Sequence, residues 1–489
     1  MAVTPMMQQY LEIKNRYKDS ILFYRLGDFY EMFFDDAKVA SKELELTLTG
    51  RNCGESERAP MCGVPFHSAD QYIGRLVAKG YKVVVCEQME DPAKAKGLVK
   101  RDIVRVVTPG TVIDNTQLVE SQNNYLCAVC FDGSSAGIAF VDVSTGEMTA
   151  SGFEGKDTDE RILNELGIYQ PKEIMLSDSP DLHPGINEFA SQRLHAFITG
   201  RKDERFDYVK CLASVSRQFG AVGKEAAERG TSVVRAIGAL LSYIAETQMT
   251  EVTNVSKLTL FDDGQYLELD LATRRNLELC ETMRTKEKKG TLLWVLDRTK
   301  TSAGARMLRR WVEQPLVNAY SIGRRQRAVA ELCSSFMMRE ELSEQLRHVL
   351  DLDRLMTKLV YGTATARDLR AISSTAALIP EIKEMTADFV SEELSDIHTH
   401  LDTLADIREL IDRSIVDEPP FSLREGGFIR RGFNSEADEL YSIVHDGKSY
   451  IEKIAEDERE KTGIKNLKVS YNRVFGYYIE VTKSFLSQV

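Results

Sequence analysis

The sequence predicts a multidomain protein, α/β in its first part and mainly α beyond it, and three observations carry that prediction. Short apolar runs alternate with helix-like spacing up to about residue 113. Three closely spaced strand patterns then follow one another between residues 125 and 153. From about residue 232 onward, apolar residues recur at intervals of three and four.

Thr4 and Pro5 open a helix, the first as N-cap and the second at the first helical position. A strand follows at Ile21-Leu22-Phe23-Tyr24-Arg25-Leu26. Ser68 caps a helix that ends at Gly80, and Tyr81 to Cys86 reads as a further strand. Asp114-Asn115-Thr116-Gln117 is polar and turn-prone, a linker. Tyr125–Phe131, Gly137–Val143 and Glu147–Phe153 form a meander, with a helical pattern from Thr158 to Leu166 after it. Leu394, Ile397, Leu401, Leu404, Ile407 and Ile411 mark one face of a single long amphipathic helix, which Asp417-Glu418-Pro419-Pro420 breaks. An acidic helix from about Glu436 to Glu460 then leads into strand-like Leu467–Asn472 and Tyr477–Val481.

With 489 residues, the chain has room for three or four domains with their own cores. A hydrophobic content of 43% and a charged content of 28% are those of a globular protein. No apolar run approaches the ~20 residues that span a bilayer, and no secretory leader is evident. The eight cysteines are dispersed; Cys127 and Cys130 lie in an apolar strand pattern, so core thiols and a reduced, cytoplasmic compartment are expected. A net charge of −12 looks wrong for a partner of nucleic acid, but only the local footprint meets phosphate. Lys94, Lys96, Lys100, Arg101 and Arg105 face one acidic residue, Asp102. Residues 273–311 hold eleven basic against four acidic residues, and residues 461–489 five against Glu480 alone. Solvated helix faces explain any one of these runs; three together point weakly to a polyanion.

Gly27-Asp28-Phe29-Tyr30-Glu31-Met32-Phe33 is the most informative segment. In extended chain, residues two apart project to the same side, so Phe29 and Glu31 face one way and Tyr30 the other. A flat ring beside a hydrogen-bond acceptor suits insertion into a base stack and contact with a displaced base edge. The competing reading is a strand at a core margin with Phe29 buried.

The blocks around this segment change that balance. They are Thr4–Tyr10, Cys62-Gly63-Val64-Pro65-Phe66-His67, the basic stretch at Lys100 and Arg101, and Val107–Thr111. In this order they resemble the mismatch-binding domain of the MutS family, which carries a Phe-x-Glu reader; the match falls on Phe29 and Glu31. Residues 122 to about 250 are similar to the family's connector domain, which has a ribonuclease-H-like fold. Asp270–Glu278 and Thr301–Leu308 look like the helical core with its levers. The stretch from Gly426 to Lys483 resembles the clamp domain, with Lys468, Asn472 and Arg473 as candidate DNA-backbone contacts beside Lys100 and Arg101.

The expected domains are therefore 1–113, 122–250, 251–424 and an incomplete clamp at 425–489. The resemblance implies recognition of mismatched or unpaired bases in double-stranded DNA, a homodimer, MutL as partner, and ATP with Mg for the full-length protein. The chain itself is expected to be an N-terminal fragment without the ATPase.

The residues themselves supply no catalytic constellation. The nearest approach to a Walker A sequence, Ser442 to Ser449, ends in Gly447-Lys448-Ser449 but has serine where the first glycine belongs, within a helical pattern. Asp132 and Asp142 adjoin turns, and the first strand of the second domain has no central carboxylate for two-metal hydrolysis. His398 and His400 diverge on a helix. A ribonuclease-H-like nuclease and a helical interaction scaffold remain the alternative readings. Metal-dependent cleavage would favour the first, and indifference to duplex DNA the second.

Overall fold

Alternating apolar residues in two short segments joined by Gly27 build a hairpin, β1 (Ser20–Leu26) and β2 (Phe29–Phe33). The computed structural model describes residues 4–53, 58–90, 97–200, 204–262, 264–445, 447–472 and 476–482. It divides into two compact units, Met1–Thr363 with Glu381–Leu401, and Ala364–Pro380 with Asp402–Val489.

In the first unit, β3 (Thr49–Arg51), β4 (Ala59–Pro65), β5 (Lys82–Gln88) and β6 (Arg101–Val107) extend the hairpin into a sheet of order β3-β4-β2-β1-β5-β6. Only β1 and β5 pair in parallel; the remaining pairs are antiparallel. Period-two alternation gives each face its own core. Leu22, Tyr24, Phe33 and Val84 pack on helix α1 (Pro5–Arg16) through Met7 and Tyr10. Phe23, Tyr30, Met32 and Val85 pack on α2 (Phe34–Leu44) and α3 (Ala69–Ala78) through Ala40 and Ile73.

A second sheet takes the order β11-β10-β7-β8-β9-β12. The meander supplies β7 (Tyr125–Asp132), β8 (Ser135–Asp142) and β9 (Glu147–Glu154); β10 (Glu173–Leu176), β11 (Phe197–Gly200) and β12 (Lys257–Leu260) join in parallel. Helices Tyr208–Glu228 and Thr231–Gln248 cover one face, and α4 (Thr158–Tyr169) covers the other.

A buried polar seam ties the two sheets together. The Glu173 carboxylate is fully buried and accepts from Thr108 Oγ1 at 2.5 Å, Gly110 N at 3.3 Å and Tyr243 Oη at 2.6 Å, with Lys82 Nζ 3.7 Å away. Gly110 is needed there, since a Cβ would come within 2.9 Å of Leu126 and 3.0 Å of Glu173. The connection between the sheets is held by two buried arginines: Arg306 donates to Glu120 O, and Arg354 to Val119 O and Gln122 O.

Helices then predominate, from Leu271–Asn276 to Ala405–Ser414. The single long helix expected across Leu394–Ile411 is instead two, Glu392–His400 and Ala405–Ser414. Leu404 takes φ +50°, its N–H is held by Asp402 Oδ1 at 3.0 Å, and Lys383 Nζ caps Leu401 O at 2.7 Å. Apolar spacing continued through a local side-chain cap that spacing does not reveal. In the second unit, helices Ser435–His445 and Gly447–Thr462 precede a two-stranded ribbon, β13 (Lys468–Asn472) and β14 (Gly476–Glu480).

Candidate nucleic-acid interface

The β1–β2 turn is two residues long, and Gly27 takes φ +60°, a conformation open to glycine at the first position of a tight hairpin turn. The first residue after the turn, Phe29, is 48% exposed, whereas Tyr30 is 6% exposed. Three braces hold the turn from below. The Arg25 guanidinium lies 3.9 Å from the Phe66 ring centroid, and its Nε donates to Gly27 O at 2.5 Å. Tyr30 Oη donates to Glu87, whose carboxylate also faces Arg25. Phe66 N–H donates to Asp28 O at 2.9 Å. Burial, helped by Glu87, pushes the Tyr30 hydroxyl well above the usual phenol range, so it stays a donor.

Phe29 lies opposite Leu26 on one side and Pro65 on the other, and Glu31 lies opposite Tyr24 and Gly63. Phe29 and Glu31 thus share a sheet face beyond the reach of α1. Glu31 is not a bare acceptor: its Oε2 is ion-paired with Arg51 NH1 from β3.

Lys100 is exposed at the same end of the sheet as the turn, its N–H donating to Glu90 Oε1 at 2.7 Å. Arg101 corrects the expectation of a surface cation. It is 8% exposed, donating from Nε to Arg25 O at 2.8 Å and from NH1 to Gln9 Oε1 and Val99 O, over the Tyr24 ring. As the first residue of β6 it points to the α1 face, where it closes the end of the sheet and is not free for phosphate. Part of the basic run at 273–311 is likewise engaged within the protein, whereas Arg275, Arg284, Lys286, Lys289, Arg298 and Lys300 are exposed. Arg309 pairs with Glu281 and Glu313, Arg310 with Glu147, and Lys288 with Asp297.

Three family profiles match the chain: MutS domain I at residues 4–116, MutS domain II at 124–258 and MutS domain III at 272–474. Curated relatives named DNA mismatch repair protein MutS align along its whole length. The chain is 50% identical over 489 residues to that of Acetivibrio thermocellus and 50% over 487 residues to that of Ruminiclostridium cellulolyticum. It is 46% identical over 496 residues to that of Caldanaerobacter subterraneus subsp. tengcongensis. Each alignment takes in 100% of this chain and 56% of the relative. The chain belongs to the MutS family. It spans about half the length of the curated relatives it matches.

The hairpin with Phe29 and Glu31 falls within the MutS domain I match, and β13 within that of domain III, which ends before β14. Lys468 and Asn472 are exposed and share a ribbon face with Tyr478 and Glu480; Arg473 lies outside the described residues. Gly447 opens a helix that follows another helix, without the strand a phosphate cradle requires. Asp142 is fully buried and accepts from Ser144 N and Oγ, Asn123 Nδ2 and Asn124 N, which makes it a turn organiser. Asp132 accepts from Thr231 Oγ1 at 2.8 Å. Cys127 and Cys130 are buried, and burial pushes the Cys130 thiol up to about 11. Among the described residues, no group of three or more His, Cys, Asp or Glu side chains could hold a metal, and no helix is long and apolar enough to cross a membrane.

Sequence reasoning missed Arg51, Arg25 and Glu87. Arg25 carried a signal, a charge at a position in register with Ile21 and Phe23 on a core face. Arg51 carried none, because its partner lies two strands away.

Proposed function

We propose that this chain recognises mismatched or unpaired bases in duplex DNA to initiate mismatch repair, with Phe29 as the stacking wedge and Glu31 as hydrogen-bond partner of the displaced base. The observation that carries this reading is an exposed ring on a turn braced from three sides, beside a carboxylate on the same face. Inserting a ring costs a few kcal/mol of unstacking per base step and kinks the duplex. A mispair has already lost part of that resistance, and ring-on-base stacking returns about 1–3 kcal/mol. Selectivity then arises chiefly from DNA deformability. Glu31 opposes paired DNA, since a carboxylate near phosphate is unfavourable unless it gains a hydrogen bond.

Within this reading, residues 1–113 form the mismatch-binding domain, 122–250 a ribonuclease-H-like connector, 251–424 the helical core and levers, and 425–489 clamp. Lys100, Lys468 and Asn472 hold the backbone without reading sequence. Action as a homodimer in the cytoplasm, with MutL and an ATP- and Mg-dependent ATPase, belongs to the same proposal for the complete family member. The helical setting of Gly447 does not fit a nucleotide cradle, so no step here runs through ATP.

Phe29→Ala is expected to weaken mismatch binding by ~1–3 kcal/mol, about five- to 150-fold, in titrations of a mispaired duplex. Homoduplex binding should change far less. Equal losses on both duplexes reject the wedge.

A further inference from the structure

Resting on that reading, we propose that Arg51 is a positioning residue that holds Glu31 neutralised on paired DNA and releases it only when a displaced base offers a hydrogen-bond donor. The geometry is specific. Arg51 lies on the edge strand β3 in register with Ala59, whereas Glu31 lies on β2 in register with Gly63, so β4 runs between them. To reach Glu31, the Arg51 side chain leans along the sheet toward Gly63. Gly63 leaves room beside Glu31 itself, since a Cβ there would stand 3.5 Å from Glu31 Cγ and 3.2 Å from Tyr30 O. Among the described residues Arg51 is the cation paired with Glu31, whose side chain is 15% exposed against 38% for Arg51.

A carboxylate next to the wedge carries a cost on any duplex, because phosphates surround it. Pairing with a guanidinium offsets its charge in part, and a fully paired duplex meets less of that repulsion. A mispaired base that has left its partner carries unsatisfied N–H donors. Glu31 exchanges Arg51 for such a donor, and the freed guanidinium is left to the phosphates. An ion pair whose arginine is open to solvent is weak enough for this exchange to be cheap. Arg51 thereby sets how strongly Glu31 penalises paired DNA, and removing it should sharpen discrimination.

The test measures affinities of the full chain for a duplex with one G·T mispair and for its paired counterpart. Arg51→Gln should raise the mismatch-to-homoduplex affinity ratio about two- to fivefold, homoduplex binding falling more than mismatch binding. In a Glu31→Gln background the same substitution should leave the ratio where it was, and Arg51→Lys should restore the parental ratio. Proportional losses on both duplexes in both backgrounds would make Arg51 a plain phosphate contact and overturn the inference, as would a falling ratio. Phe29→Ala measured alongside separates the failures. If it weakens both duplexes equally, the wedge reading falls. If it is selective while Arg51→Gln leaves the ratio unmoved, only the role of Arg51 falls.

Discussion

Phe29 and Tyr471 are both exposed aromatics on antiparallel hairpins, 48% and 63% exposed, but their surroundings differ in kind. Under Phe29, the next residue Tyr30 is buried, Arg25 stacks on Phe66, and β2 is flanked on both sides within a six-stranded sheet. Tyr471 belongs to a two-stranded ribbon on which Tyr477, Tyr478 and Ile479 are exposed as well, and its ring centroid lies 5.0 Å from that of Tyr477. A ribbon of two strands is marginally stable by itself. The contrast teaches where ordering entropy is spent. In the role proposed for Phe29, a wedge must arrive already rigid, because each rotamer frozen on binding subtracts from the stacking gain. A backbone contact tolerates adjustment.

The largest effect should come from cutting the support of the first hairpin. Phe33 is fully buried against Tyr10, and Phe33→Ala should cost ~3–5 kcal/mol of stability, read as a lower denaturant midpoint. Arg25→Met keeps the volume but strips the donor from Gly27 O and the partner from Glu87. A loss of about 1.5–3 kcal/mol is expected, together with selective weakening on mismatched DNA; a stable variant with unchanged mismatch affinity would show that the brace is dispensable.

Acidity offers a third handle on the comparison. Desolvation raises the Asp36 carboxyl above its ordinary value, despite Lys14 at 2.8 Å and the Leu22 N–H at 3.0 Å. The folded protein therefore holds this proton more tightly than the unfolded chain. The stability it contributes is complete below about pH 4 and is lost as pH rises through the raised value. Asp36→Asn should flatten that decline in denaturation curves taken from pH 4 upward; an unaltered slope would refute it. The smallest effect belongs to the ribbon, where Tyr471→Ala should stay within ~0.5 kcal/mol of the parental stability. A larger loss would mean that the ribbon is as firmly braced as the first hairpin.

What was legible in the sequence follows the range of the interactions. The opposed facing of Phe29 and Tyr30 is a two-residue periodicity, and it emerges in the burial of β2. The strands from Tyr125 to Glu154 were readable for the same reason. Arg101 was not, because an arginine that closes a sheet end looks like any other basic residue until Gln9 and Arg25 are placed around it. The break at Leu404 was hidden by apolar spacing that runs through it, and the Glu31–Arg51 pair by 20 residues and an intervening strand.

The enclosed Glu173 carboxylate has a mechanical consequence. Glu173 itself stands on β10 of the second sheet, while its partners come from β5, from the segment just after β6 and from the helix Thr231–Gln248, and none can withdraw without stranding a charge away from water. While these bonds hold, the first sheet is fastened to the second at its base, so a push on one is borne by the other as well.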